Sequence, residues 1–261
     1  MAELDGIHYV DPDWARNHLL PKFEWDSPEE AKAAWKAFLN IRRPSREILR
    51  EMKDSFSEAF PHLGNELDSD GSALSIDRFV ERMAVGALHA FNPISEDWII
   101  HFYNAVGNET QTKWAKELRI KLSHLNPQAT KEVWDAWLGT YFNWRTRNKP
   151  VPLSKDEHLE LFHIVCYLGE AFPEAVEYLL QKDPISLADT GYLHRIQDCV
   201  PISHHPDSAH DLLRQIVEGW DGSAQSLGIN ASKMTEGLIA STKEPEKLKG
   251  ITNSLTERGA I

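Results

Sequence analysis

Cysteine is scarce in this chain, long apolar runs are missing, and cationic charge is in deficit. Only two cysteines occur, Cys166 and Cys199, in the apolar contexts IVCYL and QDCVP and without the paired spacing of a zinc or redox site. They are expected to be reduced, buried thiols. No window approaches a membrane span, and the opening MAELDGIHYVDPDWARNHLL carries acids and no signal-type apolar core, so the expected location is the cytoplasm. A formal net charge of -12 argues against a general attraction to nucleic acid or to an anionic membrane. Phosphate cradles are also missing: neither G-x-G-x-x-G after a strand nor G-x-x-x-x-G-K-[ST] occurs. No HExxH metal motif and no G-x-S-x-G nucleophile elbow is present. No cofactor is therefore expected.

What is present is helical punctuation. Ser27-Pro28-Glu29-Glu30 and Ser154-Lys155-Asp156-Glu157 read as capping boxes; Asn126-Pro127, Asp183-Pro184 and His205-Pro206 repeat the theme of a cap followed by proline. Each precedes apolar residues at helical spacing. From Ser75 the apolar set Ile76, Phe79, Val80, Met83, Ala84 and Ala87 follows the i, i+3, i+4, i+7 pattern of one buried face. Similar runs cover 31–39, 48–60, 98–106, 133–144, 159–172, 175–180 and 212–220, and no comparable stretch alternates with period two. The chain reads as all-α.

The phrase Glu-Ala-Phe-Pro occurs at Glu58 to Pro61 and again at Glu170 to Pro173, an offset of 112 that also aligns Leu49 with Leu161 and Phe56 with Leu168. Such repetition predicts stacked antiparallel helix pairs, an α-solenoid-like helical repeat. Residues 1–221 are expected to form this helical-repeat domain. After Gly222 aromatics thin out, and 222–261 read as a C-terminal helical extension with short helices near 231–240 and 245–255 and a loosely ordered outer end.

The stretch WDAWLGTYFNWRTRNKPVPL, residues 134–153, is the most aromatic in the chain. Trp134, Trp137, Tyr141 and Trp144 fall at i, i+3, i+7 and i+10, on one helical face. That pattern points to core in preference to a stacking platform for bases. Arg145, Arg147 and Lys149 follow at the helix C-terminus, where cations are favoured by unpaired carbonyls. An exposed tryptophan beside an arginine would suit a partner, so Trp144, Arg145 and Arg147 are candidate contact residues, with His194 and Arg195 a second set.

Glu66, Asp68, Asp70 and Asp77 resemble an EF-hand loop, with Gly71 at the sixth position. Glu66 stands where aspartate is usual and Asp77 is too short for the bidentate twelfth ligand, so a polar inter-helix turn is the preferred reading. Among the twelve histidines, His158 and His163 are five apart and His204 and His205 adjacent; neither pair has the i, i+4 spacing that puts two imidazoles on one helical face.

The segment 134–180, with its tryptophans, the PVPL turn after a basic helix end and the closing AFPEAVEYLL, resembles the helical C-terminal domain of large bacterial sirtuin-like proteins linked to antiphage defence. WARNHLLPKFEW, EEAKAAWKAFL, AFPHL and the phrase Tyr192-Leu193-His194-Arg195-Ile196 are similar to the same domain, so the likeness spans most of 12–220. It implies a helical module that senses a trigger, contacts a phage component or mediates assembly, while a separate effector does the chemistry. No catalytic residue carries over.

Two classes of function follow. One is a non-catalytic interaction module that binds a protein partner or further domains of its own polypeptide. The other is a helical enzyme or metal-dependent nuclease whose site assembles from scattered His, Asp and Glu. A nucleic-acid binder is a third reading, disfavoured by charge.

Overall fold

A computed structural model of the protein describes residues 4–41, 43–64, 74–181, 204–221, 223–241 and 245–259. Every regular element among them is helical. No helix among them is long and apolar enough to cross a membrane. The chain divides into two compact units, Met1–Lys121 and Leu122–Ile261.

The first unit contains α1 (Leu4–Val10), α2 (Pro12–His18), α3 (Pro28–Leu39), α4 (Arg46–Glu51), α5 (Lys53–Ala59), α6 (Leu74–His89), α7 (Trp98–Ala105) and α8 (Asn108–Leu122, whose last residue clusters with the second unit). Its core is an aromatic chain. Trp35 meets Phe23, Phe56 and Phe79 at ring distances of 5.1, 5.3 and 5.0 Å; Phe60 carries the contacts on to Trp98 and Phe102 at 5.0 and 5.3 Å. The pairs of Trp35 with Phe23 and of Phe60 with Trp98 and Phe102 are edge-to-face, those of Trp35 with Phe56 and Phe79 tilted, and edge-to-face pairs add about 0.5–1.5 kcal/mol each to the burial of large rings. The apolar face read from Ile76 to Ala87 is the buried face of α6.

The run 48–60 is not one helix. It breaks at Met52 (φ -75°, ψ -3°), and the two short helices α4 and α5 let Ile48, Leu49, Met52 and Phe56 all reach the core. Ser45 caps α4 by accepting from the Ile48 N–H at 3.3 Å. Ser27 precedes α3 as read, yet its side chain makes no capping bond; Pro28 alone sets that start.

The second unit contains α9 (Pro127–Val133), α10 (Gly139–Thr146), α11 (Lys155–Val165), α12 (Phe172–Leu180), α13 (Pro206–Gly219), α14 (Ala224–Ser241) and α15 (Pro245–Glu257). The caps at Asn126 and Ser154 form, with Oδ1 accepting from the Ala129 N–H at 2.9 Å and Oγ from the Glu157 N–H at 3.2 Å. The run 159–172 breaks after Val165, and the 3₁₀ turn Gly169–Ala171 that leads into α12 opens on Gly169, whose φ of +53° only glycine adopts without cost. Both Glu-Ala-Phe-Pro copies place a buried phenylalanine at a helix start, but the first opens a three-residue 3₁₀ turn and the second a nine-residue α-helix. The expected division at 221/222 is not where the chain parts. Helices α14 and α15 pack on α13 and on each other, burying Leu227, Leu238, Ile251 and Leu255 inside the second unit.

Candidate interaction site

The aromatic segment forms a single rod in which Trp134–Leu138 is a π-helical turn between α9 and α10. The Gly139 N–H reaches back to the Trp134 carbonyl, and the Trp134 indole lies so close to Gly139 that a Cβ there would meet it at 3.0 Å. Trp134, Trp137 and Tyr141 are buried, with rings paired to neighbours such as Phe142. Base stacking has no surface to use there. One polar edge survives: the Trp134 Nε1–H donates to Glu174 at 2.9 Å and the Tyr178 hydroxyl donates to the same carboxylate at 2.7 Å. That hydrogen bond, with burial and nearby acids, holds the Tyr178 phenol above its ordinary pKa.

Of the contact residues expected at the end of this rod, Arg145 is corrected by the structure. Its side chain is 1% exposed and Glu157 is 0% exposed, so neither meets a partner. Arg145 Nε and Nη2 donate to the two oxygens of Glu157 at 2.8 and 2.7 Å, while Nη1 donates to the Lys149 and Val151 carbonyls at 2.8 Å each. The guanidinium thus ties the turn after α10 to the first turn of α11. Trp144 is half-buried and Arg147 exposed. His194 and Arg195 lie outside the described residues, as do Glu66, Asp68, Asp70 and Cys199. Asp77 sits on α6 and pairs with Lys113 at 3.0 Å. Cys166 is buried and in no disulfide, its thiol donating to the Phe162 carbonyl at 3.9 Å. No group of three or more His, Cys, Asp or Glu side chains among the described residues is placed to hold a metal ion.

A different surface gathers exposed aromatic and cationic groups. A cleft of about 800 Å³ in the first unit is lined by residues of α1, α2, α4 and the segment before α4, among them His8, Tyr9, Arg16, Arg43, Arg50 and Glu51. Tyr9, which lines the cleft, is 89% exposed; on the same two short helices Val10 and Trp14, outside its lining, are 81 and 43% exposed, and Trp14 stacks on His18 at 4.7 Å. Their position follows from the short helices. With Pro12 opening α2, capped by Asp11 accepting from the Trp14 N–H at 2.9 Å, the chain turns after α1 and leaves its last residues outward.

The cleft floor is a charge network. Glu51 accepts from His8 Nε2 at 2.9 Å and from Arg16 Nε and Nη2 at 2.9 and 2.7 Å. Burial pushes the Glu51 carboxyl up, but the Arg16 and His8 hydrogen bonds and charges outweigh it, and the group titrates below the ordinary carboxylate value. Arg16 is held above its own ordinary value by the same bond. Arg50 donates Nε to the Ala90 carbonyl at 3.1 Å, which braces the side chain across to the end of α6.

Sequence reasoning passed over this surface. The available signal was RRPSREIL followed by Arg50, four arginines within nine residues of a strongly acidic chain. The aromatic half of the site comes from residues some thirty positions earlier, and nothing local links the two.

The family described as Domain of unknown function (DUF4020) matches residues 91–191. The likeness covers under half of the chain; it takes in the aromatic rod and the Arg145–Glu157 pair and leaves out the cleft. No curated protein and no solved structure matches the chain.

Proposed function

We propose that this chain is a non-catalytic helical interaction or sensor module that holds a protein partner, or a further domain of its own polypeptide, on the α1–α2–α4 surface of the first unit. The observation that carries the reading is the exposure of three large apolar groups, Tyr9, Val10 and Trp14, on the two short helices whose Tyr9 and Arg16 line a cleft with Arg43 and Arg50. Aromatic and arginine side chains together are the usual anchors of protein interfaces, because they offer large contact area with directional polar bonds. An α-solenoid-like stack of helix pairs is the finer architecture proposed, supported by the packing of α12 on α13 and of α13 on α14 and α15. The likeness of 12–220 to the helical domain of sirtuin-like antiphage proteins extends the proposal to phage sensing or to assembly with an effector.

The test compares the intact chain with Tyr9→Ser/Trp14→Gln, isolated from its own cells under native conditions. The reading expects a stoichiometric protein held by the wild type and lost from the variant, with unchanged melting temperature. Catalytic turnover by the isolated chain that a point substitution abolishes would overturn it, as would the same proteins retained by both forms.

A further inference from the structure

We infer that the cleft takes an acidic segment of a protein partner, one or two carboxylates seated on Arg43 and Arg50 with a neighbouring apolar side chain laid on the exposed Tyr9 ring. This inference rests on the interaction reading and specifies the partner's chemistry.

The charges of the cleft are unequally committed. Glu51 is spent internally, with His8 and Arg16 on its oxygens. Arg43 is exposed and has no ion-pair or hydrogen-bond partner among the described residues. Arg50, also exposed, uses Nε on the Ala90 carbonyl, which leaves both Nη groups without a partner among the described residues. Against these two cations the lining offers one further acid, Glu47. A guanidinium fork pairs two parallel N–H bonds with a carboxylate, and one braced through its Nε loses less freedom on binding than a free side chain does. The volume suits a few side chains of a docked segment.

Nucleic acid fits less well. A duplex presents one negative charge per about 1.7 Å, all of it opposed by the chain's net -12, whereas a peptide bearing one or two carboxylates meets that field weakly and within a screening length of about 8 Å.

The experiment is random-peptide display on the intact chain, followed by binding of a synthetic selected peptide to wild type, Arg43→Gln/Arg50→Gln and Tyr9→Ser, with melting temperatures for each. The inference expects selected peptides to share one or two Asp or Glu beside an aromatic or aliphatic residue. Affinity should drop about tenfold or more in the arginine variant and weaken as salt rises. Neutral or basic peptides that still require Tyr9 would overturn the acidic chemistry and leave the interaction reading standing. So would acidic peptides that bind the arginine variant unchanged. No selected peptide at all would overturn both. A single-stranded oligonucleotide that binds more tightly than the peptides, and loses that binding in the arginine variant, would make the cleft a phosphate site and overturn the inference.

Discussion

Arg145 and Glu157 are both out of solvent, and each satisfies the other's charge in a bidentate pair. Removing one member leaves a buried, uncompensated ion, which costs about 3–5 kcal/mol, while replacing both by apolar groups of like volume costs far less. Arg145→Met should therefore lower the urea midpoint severely, and Arg145→Met/Glu157→Leu should recover much of the loss. Equal loss in the single and double variants would contradict the account. Glu51 supplies a pH signature. Its folded pKa is depressed, so the stability it contributes is fully present above the ordinary carboxylate value of 4.5 and is lost as pH falls through the lower folded value. The melting-temperature gap between wild type and Glu51→Gln should be level near neutrality and close only at acidic pH.

At the scale of elements, helix α6 ends against Phe91. A Cβ at Gly86 would stand 2.5 Å from that ring, which is itself packed edge-on to Trp98 at 5.1 Å. Gly86→Ala gains helix propensity of about 1 kcal/mol and loses about 1–3 kcal/mol to overpacking. Net destabilisation is expected, and in a Phe91→Ala background the same substitution should become stabilising; thermal melts of the four proteins decide it. Helix starts were legible wherever a short polar side chain does the capping: Asn126 and Ser154 behave as their sequence suggests. Breaks were less legible. Met52 interrupts a run with unbroken apolar periodicity because tertiary packing, not propensity, sets the bend, and a π turn at Trp134–Leu138 leaves the spacing of apolar residues almost untouched. Arg145 looked like a surface group because its partner lies twelve residues on, past a turn, and the sequence cannot say which acid a cation will meet.

For the whole molecule, the all-helical class could be read from periodicity, while the division at Lys121 and Leu122 could not, since no linker composition marks it. The cleft was hidden for the same reason as any site assembled in space: Tyr9 and Arg16 belong to one pair of short helices and Arg43 and Arg50 to another stretch, joined through Glu51 on His8 and Arg16. The central claim is that this surface meets a protein. Its most direct measurement places a photo-cross-linking amino acid at position 9, and at the exposed control position Lys116, in the chain expressed in its own cells. The account predicts a discrete higher-mass adduct with one protein from position 9 and none from position 116. Unmodified chain alone, or the same adducts from both positions, would contradict it.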